Sequence, residues 1–357
     1  MTYLSELLST PNFDDHAHLS DLIKTSSVEI ANEIGKNSLQ YGFSFASSGL
    51  KNYAKRGEKL SSDIFICELG AKVTTTSDPK PIFNDLIFNL TDLAANIFRE
   101  ENMSIAVTGH KSKFKLVEFK LEMILNAITK ENSLARLKLN DKAALSKDKF
   151  EQRFFKNYFE TPLTVNNCVE SFLGPGYYDD NYGTALVAAN LLTHEFLIPS
   201  IREKGGAYGA GAKADENGIF NFYSFWDPKL NETYDNFEYS IQKLWNKEFS
   251  EKQLEYAKLS TFQKLDKVIE PSLKGMLQFA RGYTDTQRSN HRLKALSCSI
   301  DDISNLAENI LMKQLESGKS SRVVFGPKSS TNEELKSAGW AIEKPLEFLS
   351  SSYFDKF

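Results

Sequence analysis

The chain has 357 residues, 41% of them hydrophobic, with 25% charged residues and a formal net charge of −4. That is enough apolar material for sizeable cores, and two domains suit the length better than one. The slightly acidic balance carries no basic excess that would point to nucleic acid, and no uninterrupted apolar run approaches the roughly 18 residues of a membrane span.

The periodicity of residues 14–36 predicts a helix with Leu19, Leu22, Ile23, Ile30 and Ile34 as its apolar stripe. "YGFSFASSG" (41–49) alternates and ends at glycine, which predicts a strand. Helices are expected over 50–62 and 78–98, a short buried strand over "MSIAVTG" (103–109), and a helix over 112–129 with Phe114, Val117, Leu121 and Leu125 in spacing. A polar, lysine-rich segment at 130–158 marks the domain boundary.

The second block opens with a strand at 164–173 and the turn Gly174-Pro175-Gly176, then a helix over 181–199. Two strand-like runs, "GAYGAGAKA" and "GIFNFYSFW", flank Asp215-Glu216-Asn217-Gly218, a hairpin signal. A helix over 230–246 comes next. Ser250 with Gln253, and Ser299 with Asp302, read as capping boxes opening further helices, the second running over 302–317. "SRVVFGP" (321–327) closes the pattern as a strand, and the last thirty residues read as loosely packed. A weak internal echo links "YGFSFASSG…MSIAVTG" with "AYGAGAKA…SRVVFGP". Two similar α+β domains, the first shortened at its start, would produce it.

The stretch "IREKGGAYGAG" (201–211) carries the functional question. It is not a P-loop, and the residues after its glycines alternate like a strand, so the dinucleotide fingerprint fails too. A backbone reading remains: Gly205-Gly206 terminates the loop after the helix and permits positive φ or tight packing, and the bare strand behind it lets another backbone come close. A chemical reading adds Arg202 and Tyr208. A loop folding back at the two glycines would bring a guanidinium and a phenol toward one point, two donors for a developing oxyanion.

Metal motifs are missing. None of His16, His18, His110, His194 and His291 forms HExxH or HxxEH. Asp14, Asp15, His16 and His18 read as a helix cap. His194 reads as a packed, hydrogen-bonded helix residue on one face with Leu186, Val187, Asn190, Leu191, Leu197 and Ile198. Cys67, Cys168 and Cys298 are widely spaced without a CxxC pattern, which argues against a disulfide scaffold and for a reducing compartment. In "FNFYSFWDP" (220–228), alternation puts Phe220, Phe222, Ser224 and Trp226 on one face and Asn221, Tyr223 and Phe225 on the other.

"LLTHEFLIPSIREKGGAYGAGAKADENGIFNFYSFWDP" resembles the C-terminal part of the pitrilysin/insulinase zinc metallopeptidases, with the presequence-protease and falcilysin-like subfamily as the best fit. "PNFDDHAHLSDLIKTSSVEIANEIGKNSLQYGFSFASSGL" looks like that subfamily's third domain. The resemblance covers residues 10–326. It implies an α+β architecture of two related mixed α/β domains, 1–140 as the C-terminal part of a third peptidase-type domain and 141–357 as the fourth. It also implies a zinc endopeptidase that takes short unfolded peptides into a chamber between two halves. Zinc would sit on the N-terminal half through an HxxEH helix absent here, so no metal site is expected in this chain. Arg202 and Tyr208 would be the carried-over pair binding the substrate carbonyl, with Gly205 and Gly206 shaping their loop. The implied partners are the zinc-bearing half and unfolded peptides, with no nucleic acid and no membrane. The implied compartment is mitochondrial or otherwise organellar, with the cytoplasm as the alternative. A non-catalytic, peptide-holding module of the same fold is the competing reading.

Overall fold

The computed structural model describes residues 8, 11–135, 150–328, 332–345 and 347. Residues 136–149, which fall in the expected polar segment, lie outside them. Contacts divide the chain into two compact units. One comprises Met1–Val28, Glu68–Asp148 and Ile269–Tyr283, and the other Glu29–Cys67, Lys149–Val268 and Thr284–Phe357.

Helices α1 (His16–Lys36), α2 (Ser38–Ser48), α3 (Asn52–Arg56), α4 (Lys59–Thr75), α5 (Lys80–Ile97) and α6 (Phe114–Ala135) account for the regular α-structure of the first block. In the first unit, Ile23, Val73 and Phe83 form a small core with Leu19, Leu69 and Leu86 against it. Asp15 caps α1 by accepting the His18 N–H at 3.0 Å, as the Asp/His cluster implied.

Two expected strands are absent from the described residues of this block. Residues 41–48 fall in α2, because the small residues Ser38, Gly42 and Ala46 recur at helical spacing and are buried together with Tyr41. A Cβ at Gly42 would stand 2.9 Å from Val169; the small stripe is what lets the helix backbone approach the sheet. That packing outweighs the alternation of Tyr41, Phe43 and Phe45. Residues 103–109 are irregular and largely exposed. Ile105 and Val107 line an apolar groove of about 430 Å³ with Phe114, Val117, Leu121 and Leu125 of α6, instead of pairing in a sheet. The echo between the two blocks loses both of its first-block strands.

The second unit is a mixed α/β layer structure. Strands β1 (Lys156–Glu160), β2 (Asn166–Leu173), β3 (Gly209–Ala214), β4 (Ile219–Asp227), β5 (Ser321–Gly326) and β6 (Ala341–Glu343) make one six-stranded sheet in the order β3-β4-β2-β5-β1-β6. The β3-β4, β4-β2 and β2-β5 pairs are antiparallel; β5-β1 and β1-β6 are parallel. β6 joins the sheet, and Leu335 and Trp340 are buried in the core. This part of the C-terminal segment is therefore packed, contrary to the loose packing expected.

Alternation sends Cys168, Phe172, Phe220 and Phe222 to one face and Val169, Val323, Phe325 and Phe159 to the other. The first face packs on α7 (Tyr182–Lys204), α8 (Asn231–Trp245), α9 (Glu251–Leu265), α11 (Asp285–Ser297) and α12, a continuous helix over 300–316; α10 is the short helix Met276–Arg281 of the other unit. The second face packs on α2. Ser250 and Ser299 both make their capping boxes.

α7 is α-helical over Tyr182–Leu191 and π-wound over Leu192–Lys204. It continues through Pro199, past the expected end. Pro199 has no N–H to give, and the wider turn leaves room for its ring. By length and composition α7 could cross a membrane, yet 61% of its apolar window is buried within the chain, so it is a core helix. The π winding also explains His194. A 3.6-residue period puts it on the packed face, but Leu192, Leu197 and Ile201 are the buried residues of this segment and His194 is not among them.

All three cysteines are free and buried. Burial pushes the Cys168 thiol well up from its ordinary range and Cys298 up to about 11, so neither is a nucleophile at neutral pH.

One buried charge pair ties the sheet together. Glu170 on β2 is fully buried, and its Oε1 accepts from Arg322 Nε at 2.8 Å and Ser320 Oγ at 2.7 Å. Arg322 Nη2 also reaches Glu238 of α8 at 2.6 Å. Burial pushes the Glu170 carboxyl up, and Arg322 pulls it back. Arg322→Met is therefore expected to cost about 3–5 kcal/mol at neutral pH, because it strands a buried charge. Without Arg322 the folded-state carboxyl sits further above its unfolded value, so the loss grows as pH rises through the raised range and shrinks at acid pH. Urea unfolding of both proteins at about pH 5 and pH 8 measures this.

Candidate functional site

Arg202 and Tyr208 flank the point where α7 hands over to β3. Arg202 lies in the last π turn of α7, not in the loop. The chain then reverses around Gly206, whose φ is +85°. Two nested bonds close the reversal: Gly206 N–H donates to the Arg202 carbonyl at 3.1 Å, and Ala207 N–H to the Ile201 carbonyl at 3.1 Å. Each loop is one residue wider than in the usual helix-ending glycine motif, as the π winding dictates.

The two glycines act differently. Gly206 needs its left-handed backbone, and a Cβ there would meet only Pro228 at 3.7 Å. Gly205 keeps ordinary φ, but a Cβ would stand 2.5 Å from the Ile201 carbonyl oxygen.

Ile201 and Ala207 are buried, while their neighbours Arg202 and Tyr208 are exposed. The turn thus anchors one residue on each side and presents the next one to solvent. Neither the Arg202 guanidinium nor the Tyr208 hydroxyl has a hydrogen bond or ion pair among the described residues. The Tyr208 ring is supported, with ring centroids 5.5 Å from Phe225 and 4.9 Å from Trp226. Its backbone N–H donates to the Trp226 carbonyl at 3.2 Å. This arrangement offers two free donor groups, a fork and a hydroxyl, on a clamped backbone.

The bareness of β3 has a local cause. Gly209 faces Phe225 and Gly211 faces Tyr223 across the β3-β4 pair. A Cβ at Gly209 would run into the Phe225 ring, and one at Gly211 would stand 2.7 Å from the Tyr223 hydroxyl. The rings of β4 lie over the glycines of β3, so the space expected to admit another backbone is partly taken by the sheet itself. At the free edge of β3, Thr193 Oγ1 accepts the Ala212 N–H at 2.8 Å. Further along, the Lys213 ammonium lies 3.4 Å from the Phe43 ring centroid. Burial pushes that ammonium down, with Asp215 opposing. Asp215 closes the hairpin by accepting the N–H groups of Asn217 and Ile219, as expected from the sequence.

Sequence alternation misplaces Trp226. It shares a parity with the buried Phe222 and Ser224, yet it is 56% exposed. Its φ is 49°. Asn166 pairs with Asp227 and Cys168 with Ser224, so Phe225 and Trp226 together oppose Asn167, a bulge. Two adjacent bulky aromatics before Asp-Pro are the available signal.

The family model and the sequence relatives agree with the resemblance. The family model described as "PreP C-terminal domain" matches residues 156–326. The chain is similar to mitochondrial presequence proteases of Danio rerio, at 26% identity over 322 residues (86% of this chain and 31% of that protein), and of Drosophila melanogaster, at 28% over 342 residues (94% and 31%). A protease of known structure from Helicobacter pylori aligns with TM-score 0.48 and 11% identity over 72% of this chain and 61% of that one. The chain is similar to the C-terminal portion of the presequence-protease subfamily of the pitrilysin/insulinase family. It spans about a third of the length of the curated relatives it matches.

The turn makes a direct prediction. Gly206→Ala is expected to destabilise by about 1–2 kcal/mol, the cost of a left-handed backbone for an L side chain in otherwise open space. Gly206→Asn should cost less, because asparagine tolerates that region. Denaturant unfolding of the two variants checks the order.

Proposed function

We propose that this chain is the C-terminal portion of a zinc metalloendopeptidase that degrades short unfolded peptides, presequence-like ones among them. Its role is to supply Arg202 and Tyr208 to the substrate carbonyl. The observation that carries the reading is the pair of exposed donors, unpartnered among the described residues, flanking a clamped glycine turn, within the segment that matches the family model. The partner is an N-terminal zinc-bearing half of the same polypeptide. The relatives are named mitochondrial, which supports an organellar compartment. The division into a third-domain segment (1–140) and a fourth domain (141–357) stands as part of the same reading.

Among the described residues, no three His, Cys, Asp or Glu side chains are grouped to hold a metal ion. The roles that follow fall to this chain's Arg202 and Tyr208. As a peptide carbonyl carbon becomes tetrahedral, its oxygen gains negative charge. The Arg202 guanidinium donates N–H groups to that oxygen and Tyr208 donates its O–H. Both donors gain strength as the charge grows, so they favour the transition state over the ground state. The turn fixes the backbone at both positions before substrate arrives, so less reorganisation accompanies the reaction.

In the assembled protein, Tyr208→Phe is expected to lower kcat by about 10²–10³-fold with little change in stability. Arg202→Lys should be similarly poor, since an ammonium lacks the planar fork. Peptide turnover with thermal melts measures both. Unchanged turnover in Tyr208→Phe would remove the catalytic role. Peptide binding without cleavage by the assembled wild type would favour the peptide-holding module.

A further inference from the structure

Trp226 occupies a costly position. A bulky aromatic at φ 49° is a backbone outlier, and such strain persists only where the surroundings hold it. Here the holder is Asn167. Its Oδ1 accepts the Trp226 N–H at 2.9 Å, and its Nδ2 donates to Ser38 Oγ at 2.6 Å. Asn167 is itself buried. A buried amide therefore bridges α2 and the β4 bulge, and the bulge turns an indole out of the hydrophobic face into solvent.

Stability alone does not explain that arrangement. Glycine or asparagine would accept the backbone more readily, and the indole gains little burial where it stands. Its specific neighbour is Tyr208, 4.9 Å away between ring centroids. An extended peptide advances about 3.3 Å per residue. A peptide whose carbonyl meets the Tyr208 hydroxyl and which runs along this side of the ring can therefore carry a side chain one or two residues away over the indole.

We propose that Trp226 is a specificity-determining residue. It is an apolar shelf that selects peptides with an aromatic or long aliphatic side chain next to the bond presented to Tyr208, and Asn167 is its positioning residue. The inference rests on the peptidase function proposed for this chain and names the substrate feature this site selects. The indole covers the apolar side chain from one side and removes it from water, while small side chains gain nothing from it.

The test uses two matched sets of unstructured nonapeptides, with Phe or Leu versus Gly or Ser at the residues flanking one bond. Turnover is measured with the chain assembled with its zinc-bearing half, and binding with the chain itself by anisotropy of labelled peptides. Trp226→Asn is expected to raise KM and Kd for the Phe and Leu peptides about tenfold or more. KM and Kd of the Gly and Ser peptides should stay within about twofold, any kcat loss from weaker support of the Tyr208 ring should fall on both sets alike, and the melting temperature should not fall, because asparagine suits the backbone. Trp226→Phe should keep most of the preference. Asn167→Ala should reduce it in the same direction.

Equal effects on both peptide sets, no effect, or a lowered melting temperature with uniform loss in Trp226→Asn would overturn the proposal. Failure of the function and failure of the shelf read differently. Selective binding without any cleavage would sink the peptidase role and keep the shelf. Cleavage lost in Tyr208→Phe but unaltered in Trp226→Asn would sink the shelf and keep the peptidase role.

Discussion

The reversal at Gly205-Gly206 is the constraint on which the candidate site depends. A long helix must end, and an edge strand must begin, within a few residues. The orphan carbonyls of the helix end need partners, and the two nested bonds to the Ile201 and Arg202 carbonyls supply them. That closure requires a left-handed residue at 206 and bare space at 205. It also fixes which side chains go in and which go out. Ile201 and Ala207 are drawn into the core, which leaves Arg202 and Tyr208 on the surface. The exposure of two polar donors is thus a by-product of how the helix is capped.

The sheet supplies the rigidity behind that turn. β4 is the link: it carries Phe225 and Trp226 against the Tyr208 ring and bonds the Tyr208 backbone. β4 is itself held by β2 through seven register pairs and by the Asn167 side chain. Deeper in the layer, Tyr234 of α8 donates to the Val323 carbonyl at 3.1 Å, and Arg322 joins β5 to Glu170 and Glu238. A chain of buried polar contacts therefore runs from the helix layer through the sheet toward the strand that supports Tyr208. Such groups are costly unless paired, and paired they hold one arrangement.

Much of the second unit is legible in the sequence because its signals are local. The capping serines, the Asp215–Gly218 turn and the alternating strands each require only neighbours along the chain. The π segment of α7 is not legible. Winding is set by where Pro199 and the apolar residues meet the core, and a 3.6-residue count then misplaces His194. The helix α2 reads as a strand because aromatic alternation is conspicuous and a small-residue stripe is not. The stripe shows its meaning only once the sheet is in place, where a Cβ at Gly42 would stand 2.9 Å from Val169. Arg202 and Tyr208 stand out through a motif, and the turn geometry gives that motif a physical cause. Trp226 escapes a sequence reading because a bulge shifts parity, and bulges depend on the partner strand.

The central claim is that the Arg202 and Tyr208 side chains meet one substrate carbonyl. A structure of the chain assembled with the proposed zinc-bearing half and a non-cleavable peptide tests it most directly. The account predicts the Tyr208 hydroxyl and an Arg202 N–H at about 3 Å from the same carbonyl oxygen. A bound peptide that leaves both groups in solvent, or that engages only backbone elsewhere, would contradict it.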